Sequence, residues 1–325
     1  MTVARQLDFV IPGGLETRTG GYIYDRRMVQ GLGTQGWGVN VHELDPGFPH
    51  PSTDALEEAG RVLARIPSGR PVVIDGLALG GMSALAAHFA SRLRLIALIH
   101  HPLALETGLA PATAERLRQD ERRGLAAACR VVTTSSSTAR EVGEYGVLPE
   151  HISVVRPGTD PAPLASGGRA DRVNLLCVAT LTPRKGHALL FSALERLRDR
   201  PWQLICAGST VRAPDTVHSL RGQLDASGLG DRILLAGELA DMALNTCYDE
   251  ADVFVLASQH EGYGMVLSEA LARGLPIVAT EAGAIPETVP ADAALLVPPD
   301  DLGWLTAALG RIMDDPRLRA RLCLL

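Results

Sequence analysis

The sequence predicts an α/β protein of two Rossmann-like domains, each built on a parallel sheet, facing each other across a cleft. Three observations lead there. The chain has 325 residues, 46% of them hydrophobic, which is enough for a large core and, at roughly 150 residues per domain, for two domains. The period of the apolar residues keeps switching between strand-like and helix-like spacing. Near the middle, one Gly- and Pro-rich stretch has no period at all.

Taken in order, short β-rich runs appear at LDFVI, GVNVHEL, PVVIDGL, RLIALIH, RVVTTS and ISVVRP, with helical stretches such as GYIYDRRMVQGL and GMSALAAHFASRL between them. GTDPAPLASGGRADR then breaks the pattern and reads as a linker over residues 158–171. Alternation resumes with VNLLCVAT, WQLICAG, RILLAG, DVFVLAS, PIVAT and AALLVP. Near-continuous apolar strands alternating with helices imply parallel sheets covered on both faces. The expected domains are therefore residues 1–157 and 172–325. Ligands of open α/β sheets bind outside the carboxyl ends of the strands, so the loops after these runs hold the candidate chemistry.

Charge and cysteine content exclude several classes. A net charge of −6 argues against a nucleic-acid partner, since backbone phosphates call for a basic face, and limits membrane contact to a peripheral patch. TAERLRQDERRGLAAAC mixes both signs at helical spacing and reads as a solvated helix face, with contact to anionic lipid as the lesser alternative. The five cysteines are scattered and odd in number, without a Cys-x-x-Cys pair. They read as small buried residues of a reducing compartment, not as metal ligands. With no Asp-x-Asp and no cluster at metal-ligand spacing, no metal site is expected. The N-terminal apolar run is too short for a signal peptide, and a cytoplasmic location is expected.

Two loops carry charge. In HEGYGMVLSEAL, Glu261 and Glu269 flank a turn through Gly262, Tyr263 and Gly264 that opens a helix at Met265 and Val266. Glycines let the backbone approach a ligand closely, and a helix start offers N–H groups to an anion. The alternative is two carboxylates that merely favour a helix N-terminus. In ATLTPRKGH, Arg184 and Lys185 follow a strand and precede a helix, which suits them to clamp phosphate oxygens, unless they form a solvated basic turn.

HEGYGMVLSEALARGLPIVATEAGAIPE and LTPRKG together resemble the donor domain of the retaining glycosyltransferases of family 4, which have the GT-B fold. The first carries a Glu, seven residues, Glu signature with a following Gly-Pro strand and Gly-x-x-x-Glu loop. The second is similar to the family's phosphate-binding turn. The likeness spans most of Val173 to Asp300. It implies that Glu261 accepts from donor-sugar hydroxyls and Glu269 holds the ribose. Lys185 and the amides of Gly264 to Val266 would neutralise the diphosphate, while Glu238 and Leu239 would face the base. The family commonly has Arg directly after the first strand of this domain, where this chain has Thr180; Arg184 is the expected substitute.

TRTGGYIYDRRMVQGL resembles the Gly-Gly loop of the acceptor domain. That implies Gly20 and Gly21 near the donor phosphates, and Tyr22, Tyr24 and Asp25, with Arg26, on or beside an acceptor surface; the alternative is a Gly-rich turn followed by helix-surface residues. His100 and His101 end a strand; the resemblance puts one of them, His100 preferred, on the donor sugar, leaving His101 toward the acceptor, the alternative being a structural histidine at a strand end. Glu106 either binds an acceptor hydroxyl or caps a turn. The implied activity is metal-independent hexosyl transfer with retention, by front-face attack. It needs no cofactor beyond a UDP- or GDP-linked sugar as co-substrate, and the acceptor is a sugar, a lipid or a small molecule.

A nucleotide-sugar epimerase and a non-catalytic nucleotide-sugar-binding protein remain as alternatives. A dinucleotide oxidoreductase is sharply disfavoured beside them, because LDFVIPGG leads into no Gly-x-Gly-x-x-Gly. Two further expectations concern packing. Both glutamates should lie at a surface, so that replacing either leaves the fold intact. The end DPRLRARLCLL should pack on the second domain alone, the crossover helix usual in this fold being truncated or absent by nature.

Overall fold

The computed structural model describes residues 5–168 and 171–323. Arg169 and Ala170 of the expected linker, and Leu324 and Leu325 of the leucine-rich end, lie outside them. The chain divides after Pro157 into two compact units. Each of the twelve β-rich runs becomes a strand.

Unit 1 contains β1 (Arg5–Pro12), β2 (Trp37–Leu44), β3 (Pro71–Asp75), β4 (Arg94–Ile99), β5 (Arg130–Thr133) and β6 (Ile152–Val154). All pairings are parallel, in the order β2-β1-β3-β4-β5-β6. Val10, Val72, Ile74 and Ala97 are fully buried, as expected of a sheet covered on both faces. The order reverses between β1 and β3, which leaves a crevice where the connections leave to opposite sides. PVVIDGL stops being a strand earlier than its apolar pattern suggests. Asp75 accepts the N–H of Leu77 at 2.9 Å and caps a short helix, Gly76–Gly81, and this cap outweighs the β propensity of the run.

Unit 2 contains β7 (Val173–Val178), β8 (Trp202–Ala207), β9 (Ile233–Gly237), β10 (Val253–Leu256), β11 (Ile277–Thr280) and β12 (Ala294–Val297). They form a second parallel sheet in the order β12-β11-β10-β7-β8-β9. Here the reversal falls between β7 and β10, so the loops after those two strands meet at the switch point. The stretch read as a linker is stitched to this unit at its far end: Ala165 donates to the Arg273 carbonyl and Gly167 to that of Asp249, each at 2.9 Å. In the last helix, Pro316–Leu322, Leu318 and Leu322 join the core of unit 2. Among the described residues, no helix is long and apolar enough to cross a membrane.

The helix Pro111–Ala127 has the solvated charged face expected of it, with Glu115, Arg116, Arg118, Arg122 and Arg123 exposed, but it also has a buried side that includes one acid. Leu117, Glu121, Gly124 and Leu125 are all buried. Glu121 accepts the N–H groups of Leu103 and Ala104 at 2.6 and 3.2 Å and the Tyr145 hydroxyl at 3.3 Å. It thereby satisfies a turn that the sheet leaves without backbone partners. Burial pushes its carboxyl up to about 6 from the usual 4.5, against the opposing pull of those three donors and of Arg118. The folded unit therefore binds this proton more tightly than the unfolded chain does, and the contribution of Glu121 declines as pH rises through that window. Glu121→Ala should destabilise unit 1 by about 2 to 4 kcal/mol at pH 7, since three donors lose their acceptor. In urea unfolding the gap between wild type and variant should widen as the pH is lowered from 7 to 5.

Candidate active site

The loops after β7 and β10 meet around one carboxylate. Glu261, 6% exposed, accepts from Lys185 Nζ at 2.5 Å and from the Ser258 hydroxyl at 2.6 Å on the same oxygen, Oε1. Arg184 lies 3.8 Å from its other oxygen and donates to the His260 carbonyl at 2.6 Å. Burial pushes the Glu261 carboxyl up, but Lys185, Arg184 and the hydrogen bonds from Lys185 and Ser258 outweigh it, and the group is held below the usual carboxylate range. The sequence-based expectation that Glu261 sits at a surface is thus corrected. Its strand, β10, is fully buried, and the loop folds back beneath the loop that follows β11.

Two glycines make that packing possible. Gly186 has φ of +67°, and a Cβ there would lie 1.9 Å from the Ala257 carbonyl oxygen. Gly283 has φ of +57°, and a Cβ there would lie 2.3 Å from the carbonyl oxygen of Glu261. Both positions combine left-handed backbone with a main-chain approach that only glycine allows.

Glu269 is half-buried on the helix Met265–Leu271. It accepts from the Tyr248 hydroxyl at 2.9 Å. Tyr248 is itself fixed by stacking on Phe254, with centroids 6.0 Å apart, and by the Arg273 guanidinium 4.3 Å from its ring centre. Burial, then the charge of Glu269, raise the Tyr248 phenol well above its usual value, so it remains a donor. Gly264 caps the helix with φ of +87°, and Gly262, Tyr263, Met265 and Val266 complete the turn. After β9, Glu238 is exposed and Leu239 half-buried. Thr180, where an Arg was expected, is half-buried, and Arg184 reaches the Glu261 loop instead.

Unit 1 assembles a second cluster at the carboxyl ends of β3 and β4. His100 Nε2 lies 2.9 Å from Asp25 Oδ1 and 3.5 Å from Asp75 Oδ2. The helix Gly20–Thr34 brings Asp25 there, and Gly21 permits it: a Cβ on Gly21 would sit 3.3 Å from the imidazole. Burial pushes His100 down, but the charge and hydrogen bond of Asp25, with Asp75, raise it overall. Burial and the charge of Asp25 push Asp75 up to about 7, despite His100 and two backbone N–H groups.

Two residues expected on an acceptor surface are interior. Asp25 is 1% exposed, and Tyr24 is buried with its hydroxyl on the Val155 carbonyl at 3.0 Å and its ring edge-on to His100. The reason is helical geometry: the turn after Gly21 faces the sheet, so both side chains orient His100. Tyr22 donates to the Pro12 carbonyl at 2.5 Å. Arg26 pairs with Glu16 at 3.3 Å, His101 lies 3.7 Å from Glu106, and Gly20 is exposed at the helix start. Asp75, Ser258 and Tyr248 were missed. An acid closing an apolar strand, as in PVVID, was the one signal that could have flagged Asp75.

Residues 172–315 match the family described as glycosyl transferases group 1, and residues 17–163 match glycosyltransferase family 4. An MMP alpha-(1->4)-mannosyltransferase of Mycolicibacterium hassiacum is 32% identical over 85% of this chain and 69% of its own. A D-inositol 3-phosphate glycosyltransferase of Kineococcus radiotolerans is 33% identical over 66% of this chain, which spans 56% of that relative's length. Sucrose-phosphate synthase of Thermosynechococcus elongatus superimposes with a TM-score of 0.82 at 21% identity, over 98% of this chain and 92% of that one. Anabaena HepE in complex with UDP and glucose gives 0.77 at 17%, with the same two coverages.

Two outcomes follow from the two clusters. Lys185→Met leaves Glu261 buried with one distant cation and should destabilise unit 2 by about 3 kcal/mol. Lys185→Met combined with Glu261→Gln should lose clearly less in urea unfolding, because no charge is left stranded. In unit 1, the raised values of Asp75 and His100 both mean that the fold holds protons more tightly than the unfolded chain. Stability should therefore fall with rising pH, through about 4 to 7 for Asp75 and from about 6.5 upward for His100. Asp75→Asn should remove the first part of that slope in melting curves taken between pH 5 and 8.

Proposed function

This chain belongs to glycosyltransferase family 4 and has the GT-B fold, and we propose that it moves a hexose-type sugar from a UDP- or GDP-linked donor to an acceptor hydroxyl with retention at the anomeric carbon. The observation that carries the reading is the convergence of Lys185 and Arg184 on buried Glu261 at the switch point of the unit 2 sheet. Two cations held at the carboxyl edge, beside the amides of Gly264 to Val266, suit a departing diphosphate, where negative charge grows in the transition state. They supply the positive charge that a divalent ion would otherwise supply, so the transfer is proposed to be metal-independent.

Glu261 takes the donor-sugar hydroxyls. On donor binding, Lys185 exchanges part of its contact with the carboxylate for a phosphate oxygen. Glu269, oriented by Tyr248, takes the ribose, and Glu238 and Leu239 lie toward the base. His100 has Nε2 committed to Asp25, which leaves Nδ1 for a sugar hydroxyl. A carboxylate bound by two cations and a serine hydroxyl is a weak nucleophile. That supports front-face attack, in which the leaving phosphate takes the acceptor proton. The relatives' names, a mannosyltransferase forming an alpha linkage and D-inositol 3-phosphate glycosyltransferases, support a hexose donor and a hydroxyl-rich acceptor. The linkage is consistent with retention from an alpha-linked donor. The proposed place of action is the cytoplasm.

Calorimetric titration with bare UDP and GDP tests the roles of the two glutamates. Glu269→Ala should weaken binding about ten- to a hundredfold, since a charged hydrogen bond to the ribose is worth about 1.5 to 3 kcal/mol. Glu261→Gln should leave it unchanged or tighter, while both variants lose sugar transfer. Equal losses of nucleotide affinity would overturn the assignment. At about 100 times its dissociation constant the correct nucleotide should stabilise wild type by about 2.7 kcal/mol; no melting shift with UDP, GDP or ADP would overturn the donor site itself.

A further inference from the structure

β7 and β8 pair in register with Cys177 opposite Cys206, so the two side chains project to the same face of the sheet. Over that face lies the helix His187–Glu195, whose first residue is separated from the Arg184–Lys185 turn by Gly186 alone. Cys177, Cys206 and His187 are all buried, the histidine 2% exposed. One ligand atom from each lies within 4.8 Å of the other two. His187 Nε2 is 3.8 Å from Cys177 Sγ, and its Nδ1 has no hydrogen-bond partner. Nothing in the proposed sugar transfer uses any of the three.

We propose that Cys177, Cys206 and His187 form a binding site for a thiophilic divalent cation of the Zn²⁺ class. Two thiolates and an imidazole are soft to borderline donors, which select such an ion over Mg²⁺ or Ca²⁺. Metal–sulfur bonds of about 2.3 Å and metal–nitrogen bonds of about 2.0 Å give a sulfur–nitrogen edge of about 3.5 to 3.7 Å. The observed 3.8 Å needs almost no rearrangement. Both thiols release their protons to solvent on binding, and two thiolates with one divalent ion make a neutral unit, which an apolar core accepts far better than a charge. The bound ion would tie β7, β8 and the helix under the Arg184–Lys185 turn to one point. Cys129, Cys247 and Cys323 lie outside the cluster.

The test uses the full chain. Protein produced in Zn²⁺-supplemented medium and passed once over chelating resin is assayed for metal by mass spectrometry. The reduced, metal-free protein is then refolded with Co²⁺ and examined for thiolate-to-cobalt absorption in the near ultraviolet. Wild type should retain close to one Zn²⁺ and show the band, and so should a variant with Cys129, Cys247 and Cys323 all changed to Ser. Cys177→Ala and His187→Phe, the latter preserving ring volume, should lose affinity by more than about a hundredfold, since even groups outside the ligand set are worth about 10- to 100-fold. Far-UV circular dichroism establishes that the variants are folded. Wild type that holds neither ion overturns the proposal, as does a folded His187→Phe that keeps it. So does an intact mass two hydrogens low with the Cys177 and Cys206 thiols blocked, the signature of a disulfide instead.

Discussion

The burial of Glu261 is the constraint from which the rest of unit 2 follows. A carboxylate taken out of water must be paired or protonated, and this one is paired, by Lys185, Arg184 and Ser258. The requirement fixes the end of the β7 loop against the end of the β10 loop, and Gly283 closes the third side by main-chain contact. Three connections from three strands are thereby held in one arrangement, two by electrostatics and the third by main-chain contact, at the place where the sheet order reverses. An ion pair of this kind adds little net stability compared with apolar packing. What it provides is a unique geometry, with positive charge ready at a strand end.

Unit 1 meets the same demand with the opposite signs. There the central group is an imidazole, and the groups around it are two buried carboxyls, Asp25 and Asp75. The helix Gly20–Thr34 delivers Asp25 and Tyr24 together, one bonded to His100 and the other edge-on to its ring. The ring is fixed in position, although 22% of the side chain stays exposed. Both units thus place a charge at the carboxyl edge of a parallel sheet, and both hold it from beneath with residues of opposite sign.

The strands were legible because burial on both faces demands continuous apolar runs, and twelve such runs separated by helical spacing leave few other architectures. The charged loops were legible because glycine beside a carboxylate or a cation pair, directly after a strand, has few structural uses. Burial within helices was not. Tyr24 and Glu121 sit in segments whose composition suits a surface, and their interior placement depends on distant partners, Val155 for one and the turn at Leu103 and Ala104 for the other. The cysteine pair was illegible for the same reason. Cys177 and Cys206 are unremarkable strand residues until parallel pairing in register sets them side by side, and no local spacing rule encodes that register.

Gly283 also bears on how freely this scaffold can be retuned. Its missing side chain is space already filled by the main chain of Glu261, twenty-two positions earlier, so the two loops behave as one body despite their separation in sequence. A change of specificity introduced by lengthening or enlarging either loop would shift the other and the cation pair with it. The loop after β9 carries no such obligation: Glu238, its first residue, is exposed, and Leu239 is half-buried. Variation that leaves the charged centre undisturbed, whether by evolution or by an engineer's library, has its room there.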